Sequence, residues 1–171
     1  MDYATASCES IKGALDAVGT AAISVPMAPY GDALVIQRPE SIFEPGNAVV
    51  IFMSADSSAP STATIVAGVA HSIDADANRL LQLCNGFNQV APVTSVAFQG
   101  DTGIDVLLKI ALPPRILVDV PPYAQAVISD VAVRVPDARA ILDSNGIHGT
   151  PHQSNETDVE RILTQVYTAL I

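Results

Sequence analysis

Apolar residues recur at helical spacing over 74–90, where Ala77, Leu80, Leu81, Cys84 and Phe87 fall at i, i+3, i+4, i+7 and i+10 and form one stripe. Beyond Pro92 the period drops to two. Ile104, Val106, Leu108, Ile110 and Leu112 share one side of a strand. Gly100-Asp101-Thr102-Gly103 are turn formers that join this strand to a preceding one over Val93–Gln99, which predicts a hairpin. A striped helix and a one-faced hairpin hide their apolar sides by packing on each other. Asp74 or Asp76 is placed to cap the helix.

Around this centre the pattern predicts further elements. A helix over about Ala6–Ala22 buries Cys8, Ile11, Ala14, Leu15 and Val18, with Lys12 and Asp16 as a weak surface pair. Gly19 and the β-branched run Ile23–Pro29 end it. A strand over Ala33–Arg38 stops at Pro39, and a loop over Glu40–Gly46 follows. The run Ala48–Ser54 is apolar without alternation, so it predicts a strand covered on both faces, or covered on one and paired at an interface on the other. After a turn over Asp56–Pro60, Thr62–Ala70 alternates as a strand, in which Gly68 predicts a bulge or a close backbone approach.

The proline-rich stretch 113–122 leads into Tyr123–Val135. Tyr123, Val127, Ile128 and Val131 keep helical spacing, but Val131, Val133 and Val135 alternate like a strand, and the residues do not choose between them. Pro136 suits the first position of a short helix ending at Leu142, with Asn145-Gly146 as its stop. Residues 144–156 read as an exposed linker. Thr157 and Glu160 match a capping box, and Val159, Ile162, Leu163, Val166 and Leu170 make the last helix amphipathic. Such a helix folds back on its own sheet or reaches a second copy. The division expected is a domain over 1–143, a linker over 144–156 and a helix over 157–171.

Hydrophobic residues at 49% supply a core, and with 5% aromatics and no Trp it is an aliphatic one. A formal charge of −10 argues against nucleic acid and against an anionic membrane surface, since both require cationic side chains. No apolar run has the length of a membrane span, and the N-terminus lacks the basic and apolar regions of a secretory signal. Cys8 and Cys84 lie on apolar stripes without metal-type spacing, as small core residues do. A cytoplasmic location is the expectation.

His148 and His152 tempt a metal reading, but two imidazoles on a linker fall short of the four fixed ligands of a structural zinc site. His71 closes a strand and reads as a surface or satisfied core residue. Nucleophile elbows, phosphate loops and zinc-protease helices are missing from the sequence. Asp74 and Asp76 favour a helix start more than a catalytic dyad, and Lys109 has no evident acid or phosphate partner. No catalytic residue and no cofactor is expected.

The order helix, three strands, helix, two strands, helix, together with Leu81, Asn85, Phe87 and Asn88 before the Gly100–Gly103 turn, resembles the YbjN family, which shares the fold of type III secretion chaperones. The resemblance covers roughly residues 5–142 and leaves the last helix outside. The chain departs from that family at Phe87, where Trp is frequent. The likeness implies an α+β protein with a twisted antiparallel sheet, helices on one face, a noncatalytic role in binding a protein or peptide, and a homodimer. The working surface expected is the open sheet face or a sheet edge, through Val93, Ser95, Ala97, Asp105, Leu107 and Lys109. A self-association module without a peptide ligand, or an enzyme or small-ligand binder, are the alternatives. Asn85 and Asn88 are placed to satisfy helix-end carbonyls or the backbone of the next strand.

Overall fold

The computed structural model describes residues 7–26, 32–36, 49–53, 62–100, 102–152 and 156–168. Along them run α1 (Cys8–Ala17), β1 (Ala22–Pro26), β2 (Asp32–Ile36), β3 (Val49–Met53), β4 (Ala63–Ile73), α2 (Ala77–Val90), β5 (Thr94–Gly100), β6 (Gly103–Leu112), α3 (Pro114–Asp119), α4 (Pro121–Ser144), β7 (Thr150–Pro151) and α5 (Glu156–Thr168). The strands make an antiparallel sheet in the order β1-β2-β3-β4-β6-β5, and β7 pairs with β4 at Ala70 and His71, beyond the reach of β3. The chain is α+β.

Opposed residues in an antiparallel ladder share a face. One face carries Leu34, Ile36, Val49, Ile51, Ile65, Ala67, Val106 and Leu108, all buried. Ile11 and Leu15 of α1, Leu80, Cys84 and Phe87 of α2, Leu117 of α3 and Ile128, Val131, Val135 and Leu142 of α4 pack against it. The other face carries Ala33, Val66 and Leu107, flanked by Val35, Val96 and Phe98, and Val159, Ile162 and Leu163 of α5 cover it. Helices therefore lie on both faces, where the family likeness implied one. Adjacent residues Ile65 and Val66 of β4 are both buried because each meets a different layer.

Local chemistry sets several boundaries. The Ser7 side chain accepts from the Ser10 N–H and starts α1, and Gly19 ends that turn at φ 79°. Asp76, one of the two candidate caps, accepts from the Arg79 N–H and starts α2. β5 and β6 close the expected hairpin, with Gly100 opposite Gly103. In β4 the register against β6 shifts between Gly68 and Ala70 and again before Ile73, so Gly68 does mark a bulge.

Several expectations change. The run expected only to end α1 instead contributes β1, Ala22–Pro26, so four strands precede α2. α1 stops at Ala17, short of Ala22. In α2, Leu81 is 53% exposed and Ala77 is exposed, and Leu83 takes the inner place beside Leu80. Residues 114–144 form two helices, and α4 runs through Pro136, which is interior and not initial. A proline there forfeits one helical hydrogen bond, and the buried Ala132, Val135 and Ala138 on either side hold the helix against the sheet. The expected linker contains β7 and the buried Ile147 and His152, so it is part of the fold. α5 begins at Glu156, one residue before the Thr157 expected to cap it. The expected loop Glu40–Gly46, the turn Asp56–Pro60, Asp101 and the stripe position Leu170 lie outside the described residues, as does the side chain of Val166.

Because Leu107 and Leu163 belong to one buried cluster under α5, Leu107→Ala and Leu163→Ala are expected to couple. A double-mutant cycle in urea is expected to give a coupling of about 0.5 kcal/mol or more. Additive losses would mean that α5 does not rest on β6.

Candidate functional site

Asp105 is the centre of the polar chemistry on the α5 side. β6 carries it into an apolar surface where it is fully buried, between Val106 and Ile104 on the opposite face. A carboxylate there needs donors. The Ser72 N–H donates to Oδ1 at 3.2 Å, Arg161 Nε donates to Oδ2 at 2.6 Å, and Gln165 Nε2 donates to Oδ2 as well. Arg161 also donates to Thr102 Oγ1 at 2.7 Å, and the Thr102 and Ser72 hydroxyls are 3.1 Å apart. Both Arg161 and Gln165 come from α5, so the carboxylate ties the last helix to the sheet.

Ser72 reaches this position by taking a left-handed backbone conformation, φ 55°, within the β4 irregularity. That conformation is strained for an L-residue, and the bonds to Asp105 and Thr102, with His71 Nδ1 at 2.9 Å from its hydroxyl, hold it. His152 is buried beside them, with Nε2 4.0 Å from Asp105 Oδ2 and its ring edge-on to His71 at 5.0 Å. Its ring lies on Gly68: a Cβ there would stand 2.4 Å from His152 Cγ. Gly68 thus serves the close approach as well as the bulge. Arg139 of α4 donates to Val69 O at 2.8 Å and to His152 O at 3.3 Å, pinning the segment that leads to α5.

The expected site residues separate into three places. Asp105 and Leu107 lie under α5, on the sheet face expected to be open. Lys109 is on that face too, exposed, opposite Val66 and Thr94 in register. Val93 and Ser95 are corrected to the opposite side, under α2 and α4, where both are buried, because Ser95 opposes Leu108. Ala97 shares that side of β5 but is exposed. Reading the sequence missed Arg161, Gln165, Ser72 and Thr102, and weighed His152 only as a metal ligand on a linker. Asp105, which was expected, carries a signal as an acid inside an apolar strand, whereas its partners on other elements leave none that local spacing shows.

At the β5 edge, Asn88 of α2 grips Ser95 as a neighbouring strand does. Its Oδ1 accepts from the Ser95 N–H at 2.6 Å and from the Ser95 hydroxyl at 2.9 Å, and its Nδ2 donates to Ser95 O at 3.1 Å. This is the strand-binding role expected of that amide. It also shows that the Ser95 peptide groups point away from β6. Groups alternate along a strand, so those of Ala97 and Gln99 point outward too, and no described strand pairs with them.

A small apolar cleft of about 20 Å³ lies between α2 and α4, lined by Leu83, Cys84, Phe87, Ile141 and Leu142, with Ser95 among its walls. Burial pushes the Cys84 thiol up, and the Ser95 hydroxyl offsets this in part, so the thiol is a poor nucleophile at neutral pH. Among the described residues no three His, Cys, Asp or Glu gather as metal ligands, and no helix is long and apolar enough to cross a membrane. Comparison of the chain with protein-family models, curated proteins and solved structures returns no match.

Arg161→Ala is expected to cost about 2 kcal/mol, since it leaves a buried carboxylate short of its charged donor. The exposed pair Lys12–Asp16, 2.6 Å apart, is the control, with Lys12→Ala expected to cost less than about 1 kcal/mol. Urea midpoints measure both, and equal losses would contradict the role given to Asp105.

Proposed function

We propose that this protein works by binding another polypeptide along the edge of β5, without catalysis. This is the kind of role implied by the resemblance to the YbjN family and its secretion-chaperone-like fold, in a cytoplasmic protein of chaperone or regulatory type. The supporting observation is the edge itself. β5 is uncharged and free of proline, it is the last of the described strands in the sheet, and it presents the outward peptide groups of Ala97 and Gln99 next to a position where Asn88 already holds the backbone. Edge strands of this kind accept a further strand.

The alternative working surface, the sheet face, is occupied by α5. The carboxylate on that face is committed to Arg161, Gln165 and the Ser72 N–H, which favours a structural over a catalytic reading of Asp105. The flanking side chains Val96 and Phe98 are half-buried on the α5 side and give an added strand apolar area to cover.

Ala97→Pro removes one outward N–H while leaving the bonds from β5 to β6, whose donors are the even-numbered residues. The proposal expects a polypeptide bound by the wild-type chain in native lysate, read by mass spectrometry, to be reduced at least about tenfold with this variant. Equal recovery on both baits would place binding elsewhere.

A further inference from the structure

Resting on that reading of the β5 edge, we infer that its occupant is the β5 of a second copy, antiparallel, with the two-fold axis at Phe98. The register follows from which groups are open. Asn88 fills the edge at Ser95, leaving Ala97 and Gln99. Setting Ala97 against Gln99 of the second copy, and Gln99 against its Ala97, uses all of these groups on both chains and leaves the Asn88 bonds intact. An axis at Ala97 sets Ser95 against Gln99 and forces Asn88 to let go. An axis at Gln99 sets Ala97 against residue 101, past the end of the strand at Gly100.

The same register gives the side chains suitable partners. Phe98 meets Phe98 of the second copy in the closely spaced type of pair, and Val96 meets Gly100, which leaves room for the ring beside it. Both Val96 and Phe98 pack against the α5 cluster while remaining half-buried, so the second copy completes their cover. A chain of net charge −10 repels its copies, but β5 holds no charged residue to bring like charges face to face. The opposite edge, β1, ends at Pro26, which lacks a donor and guards that side. The contact is isologous, as closed two-fold dimers require.

Light scattering coupled to size exclusion on the full chain tests this, using two double variants at the exposed positions 97 and 99. Ala97→Lys with Gln99→Lys sets cation against cation across the axis and is expected to weaken the dimer about tenfold or more. Its reduced negative charge by itself favours association, so the loss reports the strand contact. Ala97→Lys with Gln99→Glu sets cation against anion in this register and is expected to keep the dimer, whereas an axis at Ala97 would set cation against cation. Unchanged urea midpoints show that both variants fold. A dimer that ignores both changes, or is lost with both, overturns the inference. A wild-type monomer overturns it too, and if Ala97→Pro still strips a captured partner, the edge keeps its binding role with a different occupant.

Discussion

The sheet is apolar on both sides, and that constraint shapes the rest of the molecule. In β4, Ile65 and Ala67 face the layer of α1, α2, α3 and α4, and Val66 between them faces α5. Removing a side chain of this size from water contributes about 1.5–3 kcal/mol before the entropy of ordering it is charged. Leaving Ala33, Val66 and Leu107 bare would expose a contiguous apolar surface of the sort that drives association. The tail helix fills that place within the same chain, and the face is closed.

Two polar side chains then decide what remains open. Asp105 meets Arg161 and Gln165, so the tail is fixed in orientation as well as by burial. The segment before it is fixed in turn, because His152 lies on Gly68 and Arg139 holds the carbonyls of Val69 and His152. Asn88 acts at the sheet margin, where it satisfies Ser95 and shortens the exposed ladder to Ala97 and Gln99. Closing both faces and trimming one edge leaves a short, uncharged strand margin as the place where another chain adds most naturally.

Local periodicity made α2 and the β5–β6 hairpin legible, because the stripe through Leu80, Cys84 and Phe87 and the alternation from Ile104 to Leu112 need only near neighbours. Gly68 was legible for the same reason. β1 was hidden because its β-branched run, Ile23 to Pro26, is short and also carries the signals of a helix stop, although α1 has already ended at Ala17. α4 was hidden because Pro136 signals a start, while burial on both sides of it carries the helix through. The polar cluster was beyond local reading: Asp105 and Arg161 are 56 residues apart, and Asp105 and Ser72 are 33 apart. The side taken by Val93, Ser95 and Ala97 was not legible, because it depends on the register across the turn, which sets Ser95 opposite Leu108 and Ala97 opposite Val106.

The most direct test of the open margin is residue-resolved amide hydrogen exchange on the full chain over a range of protein concentrations. Val96 and Phe98 donate within the sheet and Ser95 donates to Asn88, so all three should be protected at every concentration. Ala97 and Gln99 should gain protection as concentration rises and lose it on dilution. Protection at Ala97 and Gln99 that equals that of their neighbours in dilute solution, or that never rises, would contradict an edge left free for a second chain.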